Sequence, residues 1–114
     1  MTYIDEFRQI MPSNILAVAC DLKHTGSADL AWRCDDVKVV LATLRARGRI
    51  ILGGDVYSII EGEIDATWDA WFYEPNAALS QEANSERSYE AALGYIESYH
   101  KKHGEDFCYS VVFR

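Results

Sequence analysis

Residues 49–73 read RIILGGDVYSIIEGEIDATWDAWFY, a run rich in β-branched and aromatic residues and punctuated twice by glycine. Such residues favour pleated, half-buried backbone, while Gly53-Gly54-Asp55 and Glu61-Gly62 carry the chemistry of turns. The pattern predicts three strands, 49–52, 56–60 and 64–73, joined as an antiparallel meander. Successive side chains of a strand point to opposite faces. In the third strand Ile64, Ala66, Trp68, Ala70 and Phe72 therefore share one face, expected toward the core. Asp65, Thr67, Asp69, Trp71 and Tyr73 share the other.

Helical periodicity flanks this run on both sides. Val37, Val40, Leu41 and Leu44 recur at i, i+3, i+4 and i+7, with Asp35 and Asp36 at the start, Arg45 and Arg47 at the end, and Gly48 beyond. Ala92, Tyr95, Ile96 and Tyr99 line one face of a later helix that Gly104 closes. A short first helix is expected from Thr2, a capping residue with Asp5 three positions on, and from Tyr3, Phe7, Ile10 and Met11 on one face before Pro12. Leu30 and Trp32 alternate with Asp29 and Arg33 as a short strand, and residues 107–113 alternate as a last one. The apolar stretch 15–20 has no clear period, and residues 23–27 read as a loop. The expected fold class is α+β: a single domain over 1–114, mainly an antiparallel sheet of about four or five strands packed with two or three helices.

Composition bounds what such a domain does. With 49% hydrophobic and 25% charged residues the chain is an ordinary globular mixture, and no apolar run approaches the ~20 residues of a membrane helix. The start lacks the basic-then-apolar order of a signal peptide, so a cytoplasmic protein is expected. Cys20, Cys34 and Cys108 are too few and too scattered for a disulfide scaffold and read as reduced thiols. Eleven Lys and Arg against 18 Asp and Glu give a net charge of −7, which argues against a nucleic-acid binder and for a basic partner, although acidity also confers solubility.

Motifs for chemistry are sparse. Gly53-Gly54-Asp55 between apolar strands resembles the active-site hairpin of diguanylate cyclases, but the match ends there, since Val56-Tyr57 replaces the acidic-aromatic pair that completes that motif. No Lys or Arg cluster is near to hold phosphates. The simpler assignment gives Gly53, Gly54 and Gly62 to backbone geometry, with Asp55 bonded to nearby backbone. His100 and His103 could reach one metal from a helix end, but Lys101 and Lys102 oppose a cation there, and basic capping of the helix accounts for all four. Cys20, His24 and Cys34 supply three zinc ligands without a fourth. No catalytic set, metal or cofactor is expected. The carboxylates and aromatics Asp65, Asp69, Trp71 and Tyr73 suit a protein interface. The alternative is a solvated sheet face, or one covered by the last helix so that Trp71 and Tyr73 form a second small core.

Several linked features resemble the immunity-protein-40 family, bacterial proteins encoded beside polymorphic toxins. They are Leu30-Ala31-Trp32, the helix with Asp36, the strand running into Gly53-Gly54-Asp55-Val56-Tyr57, the Glu61-Gly62 turn, Trp68-Asp69-Ala70-Trp71-Phe72-Tyr73, and Ser88, Ala92, Tyr95-Ile96 and Tyr99. Ala70 departs from the Asn that the family pattern places before Trp71. The resemblance implies a non-catalytic protein that binds and neutralises a cognate toxin, and charge makes that toxin a basic one. The candidate partner-binding residues are Asp55, Asp65, Asp69, Trp71 and Tyr73, with no nucleic acid or membrane as partner. A small enzyme or ligand-binding domain centred on the Gly53-Gly54-Asp55 hairpin is the alternative from a different class.

Overall fold

The computed structural model describes residues 3–22, 25, 27 and 29–114. In chain order its elements are α1 (Tyr3–Ile10), α2 (Ser13–Ala17), β1 (Ala31–Arg33), α3 (Cys34–Ala46), β2 (Ile51–Ile60), β3 (Glu63–Phe72), α4 (Gln81–His103), β4 (Phe107–Ser110) and β5 (Val112–Phe113). This is the expected α+β class. Its one sheet is antiparallel throughout, ordered β1-β4-β2-β3, with β5 pairing β2 as well. Among the described residues four helices form where two or three were expected, because the short α2 starts at Ser13 and runs into the aperiodic apolar stretch. The Thr2 cap and His24 lie outside the described residues.

The long helices form where the periodicity places them. Asp35 and Asp36 occupy the first turn of α3, and its face of Val37, Val40, Leu41 and Leu44 is fully buried. Helix α4 starts at Ser80, whose hydroxyl accepts the Ala83 N–H at 3.1 Å, and ends at Gly104. Both helices lie on one face of the sheet, over a core of Trp32, Ile51, Val56, Trp71, Tyr109 and Ile96. Helix α1 contributes Phe7, whose ring meets Phe113 edge-on at 5.0 Å and Trp32 at 5.4 Å. Burying each such side chain stabilises the fold by about 1.5–3 kcal/mol. The Trp32 indole N–H donates to the Ile15 carbonyl of α2 at 2.8 Å, which satisfies its polar atom inside that core.

Two expectations for residues 49–73 are corrected. First, the segments around Gly53-Gly54-Asp55 are one continuous strand, β2, and only Glu61-Gly62 forms a turn, with both residues at positive φ as a tight hairpin requires. The meander is therefore a single hairpin, and the other side of β2 is filled by β4 and β5. The glycines serve close approach instead of a turn. A Cβ on Gly54 would lie 1.9 Å from the Ser110 carbonyl oxygen and 2.5 Å from the Trp71 ring, and Gly53, at φ 147°, adjoins an irregularity against β5.

Second, the faces of β3 are exchanged. The parity was right, because the bulge that interrupts the pairing adds an even number of residues: Asp55 pairs with Ala70 and Tyr57 with Ala66, so Val56 opposes Thr67, Trp68 and Asp69 together. The side assigned to the core was wrong. Helix α4 covers the face carrying Trp71 and Tyr73, leaving Trp68 92% and Phe72 87% exposed. Strand-period reasoning tells which residues share a face but not which face a distant helix will cover.

Polar groups buried under α4 fasten the strands to it. The Ser88 hydroxyl accepts the Ile51 N–H at 2.9 Å and donates to Ser85, while the Ser85 hydroxyl donates to the Arg49 carbonyl at 2.7 Å. Asn84 receives the Tyr73 hydroxyl at 2.7 Å and the Asn76 N–H at 2.8 Å, tying down the chain after β3. Among the described residues no helix is long and apolar enough to cross a membrane.

Candidate functional site

Among the described residues, the sheet face away from α3 and α4 is covered at one end. There Leu22, Ala31, Tyr57 and Cys108 form a small second cluster, with Cys20, Ile59 and Ile64 packed against it. The other end carries Asp55 and its cross-strand partner Ala70, followed by Gly53 and Phe72. Trp68 stands at the bulge. Between these residues lies a cavity of about 200 Å³ lined by Asp55, Tyr57, Ala66, Trp68 and Asp69, with Thr25 and Ser27 from the preceding loop. Burial, then the neighbouring Asp55 carboxylate, raises the Tyr57 phenol above its usual range, so its hydroxyl remains a neutral group at neutral pH.

The five residues expected at an interface do not share one surface. Asp55 is exposed on the open face, and its backbone N–H donates to the Ser110 hydroxyl at 3.0 Å. Asp65 is exposed near the hairpin turn, on the side of Trp71. The Asp69 carboxylate lies on the side of α4, where one of its oxygens accepts the Tyr99 hydroxyl at 2.8 Å. Trp71 is 7% exposed and stacks on Tyr95 at 5.3 Å, while Tyr73 is held by Asn84, so these two support the core beneath α4. Trp68, Phe72 and Tyr57 are the site residues that sequence reasoning missed. Their signal was present, since Trp68 and Phe72 share a parity, but the covered face was assigned to them.

Charge is segregated as well. All 11 Lys and Arg lie at or before Arg49 or at or after Arg87, whereas the hairpin of β2 and β3 carries Asp55, Glu61, Glu63, Asp65 and Asp69. Among the described residues the ion pairs are Lys38–Glu97, Arg45–Glu86 and Arg49–Glu6, none of which touches that hairpin. The hairpin therefore presents uncompensated negative charge beside exposed aromatic rings.

The chemistry weighed for other motifs finds no matching geometry. Asp55 sits within a strand, so the hairpin that the cyclase resemblance implies is not formed at Gly53-Gly54-Asp55. No group of three or more His, Cys, Asp or Glu among the described residues is placed to hold a metal. The cysteines are unpaired and unequal. A hydrogen bond with Cys108 lowers the Cys20 thiol to about 7 against the effect of burial, whereas the same bond and burial raise Cys108, and burial raises Cys34. Iodoacetamide is expected to alkylate Cys20 first, at a rate that climbs through about pH 7 and then levels as the thiolate saturates. Peptide mass spectrometry over a pH series checks this, and equal labelling of all three cysteines would contradict the pairing.

Architecture and site together define a small α+β protein with one helix-covered sheet face, a second face on which Asp55, Trp68 and Phe72 are exposed, and an acidic hairpin between them, a scaffold suited to binding. The model of the family described as Immunity protein 40 matches residues 21–113, most of the chain. The chain belongs to that family, and so to the immunity proteins of toxin systems. Comparison with curated proteins and with solved structures finds no match.

Proposed function

We propose that this protein neutralises a cognate toxin by binding it without catalysis, its acidic hairpin covering a basic functional surface of the toxin. The observation that carries this reading is the hairpin's five carboxylates, in no ion pair among the described residues, beside Trp68 and Phe72, with no Lys or Arg from residue 50 to residue 86. Toxins that act on anionic substrates present basic surfaces, and complementary charge accelerates encounter while aromatic anchors slow release. Asp55, Asp65 and Asp69 are the acidic contacts in this proposal; Trp71 and Tyr73 act from behind, by holding β3 against α4. Three unpaired cysteines suit action in a reducing cytoplasm.

The test is a binding and protection assay with the toxin encoded beside this protein's gene. A stoichiometric complex, and survival of cells that co-express both proteins, is the expected result. The absence of a complex at micromolar concentration overturns the reading. Within the complex, Glu63→Lys with Asp65→Lys is expected to lower the association rate roughly tenfold at low salt and to flatten its salt dependence, with little change in dissociation. Stopped-flow kinetics at two ionic strengths measures this, and an unchanged association rate would remove the hairpin charge from the mechanism.

A further inference from the structure

We infer that the cavity beside the β3 bulge is an anchor site for one arginine side chain of the toxin, held between the Trp68 ring and the carboxylate of Asp55. This deepens the immunity reading and rests on it.

Backbone geometry singles out Trp68 first. Among the described residues only Glu61 and Trp68 combine a side chain with positive φ, and Glu61 is accounted for by the hairpin turn. Trp68, at φ 69°, has no turn to make. A bulky residue in the left-handed region is an outlier that its surroundings must enforce. Here they do: the Thr67 hydroxyl donates to the Val56 carbonyl at 2.8 Å, the Asp69 N–H donates back to that hydroxyl at 3.1 Å, and Tyr99 holds the Asp69 carboxylate at 2.8 Å. The framework holds the backbone so that the largest apolar side chain projects into water, where it adds nothing to the core. Bulges that re-aim a side chain beside a cavity recur at functional sites.

The cavity specifies the occupant. About 200 Å³ is small for a metabolite pocket but sufficient for a single side chain. Its walls combine the Asp55 carboxylate with the rings of Tyr57 and Trp68 and, among the described residues, include no basic group. That set rejects anions and favours a cation with flat faces. A guanidinium stacks on an indole while its fork of N–H donors reaches carboxylate oxygens, and it sheds water more readily than an ammonium does. Arginine therefore fits better than lysine.

The decisive variant is Trp68→Gly. Glycine adopts positive φ freely, so this change deletes the ring while relieving the backbone, and the melting temperature is expected to hold or rise. Affinity for the neighbouring-gene toxin, measured by biolayer interferometry on the full chain, is expected to fall at least about 30-fold, mainly through faster dissociation. Asp55→Asn is expected to cost about tenfold. Arginine-to-lysine changes across the toxin surface should reveal one arginine whose loss weakens wild-type binding but not that of Trp68→Gly, which identifies the pair. If wild-type protein binds and both variants bind equally well, or if the coupled toxin residue is a lysine or is uncharged, the arginine site is overturned while the immunity reading stands. If wild-type protein does not bind the toxin, both are overturned.

Discussion

Replacing Gly54 by alanine is expected to destabilise this protein by at least about 3 kcal/mol, beyond the usual cost of an added methylene in a packed interior. The new Cβ would lie 1.9 Å from the Ser110 carbonyl oxygen and within 2.8 Å of two Trp71 ring atoms. The first of these is backbone of β4 and cannot rotate away, so the strand itself must shift. Moving it also disturbs the Ser110 hydroxyl that receives the Asp55 N–H. A drop in Tm of roughly 12 °C or more follows from about 4 °C per kcal/mol for a domain of this size. Gly94→Ala supplies the contrast, because nothing lies within 4 Å of its added Cβ and it sits inside α4. That change is expected to stabilise by about 0.5–1 kcal/mol, the ordinary preference of a helix for alanine. Calorimetry on the two variants decides the matter: equal melting curves would mean that β4 does not press on β2 at Gly54.

The second large effect is expected at Trp71. Truncation to alanine removes a ring that is 7% exposed, stacked on Tyr95 and resting over Gly54, and costs about 3–5 kcal/mol by loss of burial and creation of a cavity. Trp71→Phe should cost much less, for a specific reason: the indole N–H is buried without a hydrogen-bond partner among the described residues, so phenylalanine removes an unsatisfied donor along with some packing. Urea denaturation should therefore rank wild type and Trp71→Phe close together and Trp71→Ala far below. Trp71→Phe should also retain toxin binding, since its effect is confined beneath α4. A Trp71→Ala protein that melted normally yet failed to bind would place this ring at the interface after all.

The contrast between Trp68 and Trp71 shows what local sequence can carry. The helices α3 and α4 were legible because their signals are local: apolar spacing, charged first and last turns, and terminal glycines. The Glu61-Gly62 turn was legible for the same reason, and the linked motifs led to the family that matches residues 21–113. Alternation along β3 correctly grouped its side chains, yet the choice of buried face depended on where α4 packs, a contact across the sequence that alternation does not encode. Gly53 and Gly54 misled because glycine serves both turns and close strand approach; only the positions of Ser110 and Trp71 separate the two uses. The bulge was beyond reach too, since Thr67-Trp68-Asp69 opposes one residue only once the register on both sides is set.

Strand order has a consequence for how the protein comes into being. β4, residues 107–110, lies between β1 and β2, so an interior strand of the sheet is synthesised after β1, β2 and β3. Until it emerges, the facing edges of β1 and β2 have no neighbour, and Trp32 and Val56 lack the strand that completes their core. The nascent chain must be kept from pairing with other chains during that interval. A protease that removes the segment after α4 therefore takes out an interior strand of the sheet, not a dispensable tail.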